Sequence, residues 1–145
     1  MAQMGLAPEG AASTGRVLLV EDDGLVGLDM KMVLEYAGYE VLGPVVTVAA
    51  ALAVITSTKL DAALLDVNLS GEKSYALADA LVARSIPFVI TTGYSIDDLP
   101  ERFGQHLVLS KPFAPKGLLR CLKQAMAADK EQGEDQAERA SSGRC

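Results

Sequence analysis

No cluster of basic residues occurs anywhere in this chain of 145 residues, in which 13 Lys and Arg face 19 Asp and Glu and the formal net charge is −6. A nucleic-acid partner demands a basic face against its phosphates, so direct binding of DNA or RNA is not expected. Residues Met1 to Gly15 lack a basic start followed by an apolar run, and so do not read as a secretory signal. The longest apolar stretch, Val41 to Ile55, is broken by Gly43-Pro44 and falls short of a membrane span. Cysteine occurs twice, as Cys121 in an apolar helical pattern and Cys145 in a polar tail. That spacing suits no metal site, and both are expected as reduced thiols of a cytoplasmic protein.

What is present is a regular alternation. Half the residues are apolar and 22% are charged, ordinary for a globular chain long enough for one core. Residues 1–15 are small and without periodicity, a flexible lead-in. Arg16 to Val20 is a short apolar run of the kind buried in a parallel sheet. Leu25, Val26, Leu28, Met32, Val33 and Tyr36 recur at helical spacing, and Gly38 is placed to stop that helix. A strand over Tyr39 to Leu42 ends at Gly43-Pro44, and Thr47 caps a helix to about Thr58. Ala62 to Leu65 is a third strand, stopping at Asp66; a helix near Ser74 to Arg84 follows the Ser70-Gly71 loop. Pro87 to Thr91 is a fourth strand and Leu107 to Leu109 a fifth, with a polar, weakly helical segment from Ser95 to Gln105 between them. A last helix runs from Ala114-Pro115 to about Ala128, and residues 129–145 form a polar tail.

Strands alternating with helices predict an α/β fold: a doubly wound, five-stranded parallel sheet of the flavodoxin-like kind, whose class carries the order 2-1-3-4-5. Such sheets bind ligands beyond the carboxyl ends of their strands. Glu21, Asp22 and Asp23 stand at the end of the first strand, Asp66 at the third, Thr91-Thr92 at the fourth and Lys111-Pro112 after the fifth. Any one of these has a bland explanation, since acids after a strand often cap the next helix. Their coincidence at matching strand ends points to chemistry. Carboxylates crowded in one pocket raise each other's pKa unless a cation intervenes, and a hard divalent ion such as Mg2+ fits an open carboxylate site that also takes phosphate oxygens. Lys111 and Thr92 add a positive charge and a neutral donor, and phosphoryl transfer needs chiefly such positioning and neutralisation.

The segments V-E-D-D (20–23), L-L-D-V-N (64–68), T-T-G-Y (91–94) and L-S-K-P-F (109–113) resemble the response-regulator receiver domains of two-component signalling, over Arg16 to Ala128. The resemblance implies that Asp66 is the phosphoacceptor, taking a phosphoryl group from a sensor histidine kinase or a histidine phosphotransfer protein. It implies metal ligation by Asp22, Asp66 and the backbone carbonyl of Asn68, with Glu21 acting through water. Thr92, which precedes the small Gly93, aligns with the switch hydroxyl; Lys111 contacts the phosphoryl group, and Lys111-Pro112 is a candidate cis bond. Asp23 reads as a helix-start residue. P-F-V-I-T-T-G-Y (87–94) and D-V-N-L-S-G-E (66–72) are similar to the alphaproteobacterial single-domain subgroup nicknamed "FAT GUY", with Ile90-Thr91 where its signature has Phe-Ala.

The chain departs from the general pattern at several places. Val108 stands where many receivers carry an aromatic switch residue. Tyr94 either takes over part of that role, shielding the phosphoryl group from water, or is a partly exposed loop aromatic; Asn68 lies where side chains tune hydrolysis. Ser70 replaces a common proline, which is expected to loosen the loop after strand three. The segment Ser95 to Gln105 is either mobile and ordered on phosphorylation or a short rigid helix. His106, the lone histidine, is expected at the surface and is no phosphate donor; the chain also lacks a Gly-rich ATP loop, so phosphate comes from outside. With few residues after Ala128, a stand-alone signalling module is expected, monomeric or dimerising on phosphorylation and read out by a protein effector or a phosphorelay through the face of the fourth helical segment, strand five and last helix. The alternatives are a haloacid-dehalogenase-type phosphatase, which would want an acid at Asn68, and a receiver-like scaffold that is never phosphorylated.

Overall fold

A computed structural model describes residues 15–93, 99–103 and 106–130. The backbone traces β1 (Gly15–Val20), α1 (Gly24–Tyr36), β2 (Tyr39–Val45), α2 (Val48–Ser57), β3 (Ala62–Asp66), a small hairpin β4 (Asn68–Leu69) and β5 (Glu72–Lys73), α3 (Tyr75–Ala83), β6 (Phe88–Thr92), β7 (Leu107–Ser110) and α4 (Pro115–Lys130). The main sheet has the order β2-β1-β3-β6-β7 with all neighbours parallel, which is the anticipated 2-1-3-4-5 arrangement. The order reverses next to β1 and β3, so the carboxyl ends of these two strands flank the crevice where such folds place ligands.

The two-residue period of a strand sorts the apolar runs onto opposite faces. Leu18, Val20, Ala63, Leu65, Phe88, Ile90 and Val108 pack with Ala51 and Ile55 of α2 and Leu77 and Leu81 of α3. Val17, Leu19, Ala62, Leu64, Val89, Leu107 and Leu109 pack with Met30 and Leu34 of α1 and Leu118 and Leu122 of α4. Burial on both faces is why β3 and β6 read as unbroken apolar segments. No helix among the described residues is long and apolar enough to cross a membrane.

Helix starts follow local chemistry. Asp23 Oδ1 accepts from the amides of Leu25 (3.0 Å) and Val26 (3.1 Å), and Thr47 Oγ1 accepts from Ala50 N (3.1 Å), as both side chains predict. Gly38, at φ 101, follows the α1 C-cap.

Several expectations need correction. β2 does not end at Gly43-Pro44 but continues to Val45 through a cis Gly43-Pro44 bond, its register with β1 shifting between Leu18 and Val20. It is an edge strand, where a proline costs no interior ladder bond, and Gly43 at φ 123 backs onto the Leu19 carbonyl with no room for a Cβ. On α1 the apolar residues split: Met30 and Leu34 are buried, whereas Leu25, Leu28, Met32 and Tyr36 face solvent, Leu25 81% and Tyr36 96% exposed. His106 is half-buried rather than superficial, stacked on Phe88 with ring centroids 4.5 Å apart and close to Phe103. Burial accordingly lowers its pKa. Cys121 is fully buried on α4 and disulfide-bonded, not a reduced thiol; an apolar helical setting carries no signal for such a bond, and Cys145 lies outside the described residues. Within the expected fourth helical segment, Glu101–Phe103 form a single 3-10 turn, and Tyr94 to Asp98 with Gly104 and Gln105 lie outside the described residues.

Candidate functional site

Each parallel strand delivers its last residues to the same edge. β1 runs directly into Glu21 and Asp22, while Asp66 and Thr92 are the final residues of β3 and β6. Lys111 follows β7, and the Lys111-Pro112 bond is cis as anticipated. Thus residues distant in sequence meet: ligating oxygens of Glu21, Asp22 and Asp66 all lie within 4.8 Å of one another.

The Lys111 ammonium sits between two of these acids, donating to Glu21 Oε1 at 2.9 Å and to Asp66 Oδ2 at 3.0 Å. Glu21 is 1% exposed, and burial raises its pKa against the opposing pull of Lys111 and of the Asp23 amide, which donates to Glu21 Oε2 at 3.2 Å. For Lys111, burial disfavours the ammonium, but the bonds and charges of Glu21 and Asp66 together outweigh that and raise its pKa. One ammonium against three carboxylates leaves excess negative charge in a partly desolvated cleft. Hard oxygen donors at this spacing suit a hard divalent cation, so the donor set fits a metal of that kind.

The remaining predicted residues divide. Asn68 lies beside the cluster, its backbone amide directed at Asp66 Oδ1 at 3.3 Å. Thr92 is buried at the end of β6, and its carbonyl accepts from Lys111 N at 2.9 Å. Thr91, next to it, turns its hydroxyl to the Leu65 carbonyl at 3.4 Å, inside the sheet. Asp23 is committed to capping α1. Tyr94 lies outside the described residues. Val108 is buried in the core cluster that contains Phe103, an apolar contact with no polar tip to turn toward the cleft.

Two serines of the site escaped the sequence reading. Ser74 precedes α3 and would be taken as its cap, yet it makes no side-chain capping bond. Its hydroxyl donates to the Asp66 carbonyl at 2.6 Å, and its amide to the Val67 carbonyl at 2.9 Å, closing the segment between them into a loop. Ser70, expected to loosen this loop, instead sits at the tip of the β4–β5 hairpin and donates both its amide (2.7 Å) and its hydroxyl (3.0 Å) to Asp22 Oδ2. The Ser-Gly pair between short polar-apolar runs is a hairpin signal that was available in the sequence.

Similarity to known proteins agrees with this arrangement. A response regulator receiver domain profile matches residues 17–123. The transcriptional regulatory protein PdtaR of Mycobacterium tuberculosis (strain CDC 1551 / Oshkosh) is 30% identical over 125 residues, 83% of this chain and 61% of PdtaR. The chain therefore spans about three fifths of that relative's length. Among solved structures, SdrG from Sphingomonas melonis Fr1 is 42% identical with a TM-score of 0.71, covering 81% of this chain and 99% of SdrG. The receiver domain of the sensor histidine kinase PA1611 from Pseudomonas aeruginosa PAO1, solved with a magnesium ion in its active site cleft, is 25% identical with a TM-score of 0.69, covering 80% of this chain and 99% of that one. With strand order, cleft residues and sequence profile in agreement, the chain belongs to the response regulator receiver domain family of two-component signalling.

Proposed function

We propose that Asp66 is the phosphoacceptor of a signalling receiver, taking a phosphoryl group from the phosphohistidine of a sensor kinase or phosphotransfer protein. The observation that carries this reading is the Lys111 ammonium bridging Asp66 and the buried Glu21, beside Asp22. Asp66 holds one oxygen toward the ammonium and the other toward the Asn68 amide, so its carboxylate is oriented in the cleft. Asp22, Asp66 and the Asn68 carbonyl, with Glu21 through water, would hold Mg2+, which when bound supplies neutralising charge for phosphate oxygens. Lys111 provides the matching fixed charge from the protein, and Thr92 the hydroxyl that follows the phosphoryl group. Asn68 and Tyr94 are assigned to tuning hydrolysis. The new charge on Asp66 then biases the protein toward the conformation an effector reads.

The exposed stripe on α1 supports a helical phosphodonor. Leu25, Leu28, Met32 and Tyr36 recur about one turn apart, and the stripe starts beside Asp23, next to Asp22. Replacing Leu25 and Met32 by Glu should slow transfer from a phosphohistidine donor while leaving phosphorylation by a small-molecule donor unchanged.

The test of the phosphoacceptor reading is incubation with acetyl phosphate and Mg2+ followed by intact mass. A labile single-phosphate adduct is expected, absent in Asp66→Ala and suppressed by EDTA. No adduct with any donor contradicts the reading, and steady multiple-turnover hydrolysis of unrelated phosphomonoesters would favour a phosphatase.

A further inference from the structure

We infer that Ser70 is a positioning residue for cation binding: from the tip of the β4–β5 hairpin it presets the Asp22 carboxylate. This inference rests on the reading that the cleft takes Mg2+. Each carboxylate of the cluster is held by protein donors. Glu21 is held by Lys111 and the Asp23 amide, and Asp66 by Lys111 and the Asn68 amide. Asp22, the most exposed of the three, receives both Ser70 donors, and both address the same oxygen, Oδ2. Two donors on one oxygen fix the carboxylate's direction and leave its other oxygen for a cation, so less ordering remains for the metal to impose.

The hairpin is suited to this task. Asn68 pairs with Lys73 and Leu69 with Glu72, while Leu69 and the preceding Val67 are buried. The two Ser74 bonds to Asp66 and Val67 close its base. At the tip, Ser70 (φ 54) and Gly71 (φ 91) are both left-handed, as a two-residue hairpin turn requires. Glycine would take the Ser70 conformation with less strain. A serine is retained there, and its hydroxyl is spent on the carboxylate of another segment, 48 residues away in sequence. The hairpin thereby links the β3 end, which carries Asp66, to the β1 end, which carries Asp22.

The test compares wild type with Ser70→Ala and Ser70→Gly in the full chain. Calorimetric titration of the unphosphorylated protein with MgCl2 should show both variants binding about tenfold more weakly. The Mg2+ concentration giving half-maximal labelling by acetyl phosphate should rise in parallel, while the plateau at saturating Mg2+ stays at the wild-type level. Loss in Ser70→Ala without loss in Ser70→Gly would assign the effect to turn strain and overturn the proposal. Unchanged or tighter Mg2+ binding in both variants would overturn it too, the latter showing that Ser70 competes with the cation. If the wild type itself binds no Mg2+, the reading of the cleft as a cation site fails, and this inference with it. A wild type that binds normally beside unaffected variants removes Ser70 alone.

Discussion

On the carboxylate side of the cleft, Glu21, Asp22 and Asp66 are held by charged and polar donors from the segment after β7, the loop before α1 and the hairpin. Beyond β6 the molecule is organised by rings: Phe88 stacks on His106, and Phe103 lies near both His106 and Tyr75. Polar donors fix directions and charges; stacked rings fix a packing arrangement that can be exchanged for another as a unit. Lys111 joins the cleft to β6, its ammonium between Glu21 and Asp66 and its amide on the Thr92 carbonyl. On the proposed reading, a charge added at Asp66 would reach β6 through that residue. Val108 is buried in the core cluster that contains Phe103, so its contact on that side is apolar packing.

Phe103→Ala should have the largest effect on stability. The side chain is 1% exposed, and its loss should cost about 3–5 kcal/mol in urea denaturation. If the two regions are separable, Mg2+ affinity of the folded variant stays at the wild-type value; a parallel fall would show that they form one unit.

Lys111→Met comes next. Leaving the buried Glu21 and Asp66 acceptors without their cation should cost about 1–3 kcal/mol at neutral pH in metal-free buffer. Two directions set the pH dependence. The Lys111 pKa is raised, so its contribution is complete at neutral pH and is lost only as alkaline pH passes through that raised value. The Glu21 pKa is also raised, so the ionised acid weighs against the fold above that value and the protonated acid does not below it. Removing Lys111 raises the Glu21 pKa further, so the penalty should shrink on acidification, as Glu21 takes up a proton. A penalty that is flat between neutral and acid pH would contradict the pairing.

The smallest effect is expected of Arg102→Ala. Arg102 makes a two-pronged contact with Asp79 of α3 at 3.2 and 3.1 Å, but both side chains are more than half exposed. Exposed pairs add little, so the thermal midpoint should barely move. A large drop would mean that Arg102, through Asp79 or through its guanidinium 4.4 Å above the Phe103 ring, holds the far side in place.

The carboxylate side was legible in the sequence because a parallel strand buried on both faces leaves an abrupt change of residue type at its end. Val20-Glu21 and Leu65-Asp66 mark such ends, and five strands of this kind admit few arrangements. The ring side was not legible. His106 reads as a polar residue before a strand, and only the tertiary approach of Phe88 turns it into a stacking partner. Likewise the apolar period of α1 does not reveal which residues face the sheet; Leu25 and Met32 share the helical spacing of Met30 and Leu34 yet lie on the solvent face. Ser70 and Ser74 were missed for a different reason. A serine hydroxyl has many local options, and its choice of Asp22 or of the Asp66 carbonyl follows from the closure of a loop rather than from its neighbours in sequence.

On the proposed reading Asp66, and no other acid of the cluster, carries the phosphoryl group. Borohydride reduces an acyl phosphate to an alcohol, so the protein treated with acetyl phosphate and Mg2+ can be trapped, digested and mapped by peptide mass. Homoserine is expected at position 66 alone, absent when acetyl phosphate or Mg2+ is withheld. A reduced residue at position 21 or 22 with Asp66 intact, or no reduced residue at all, would contradict it.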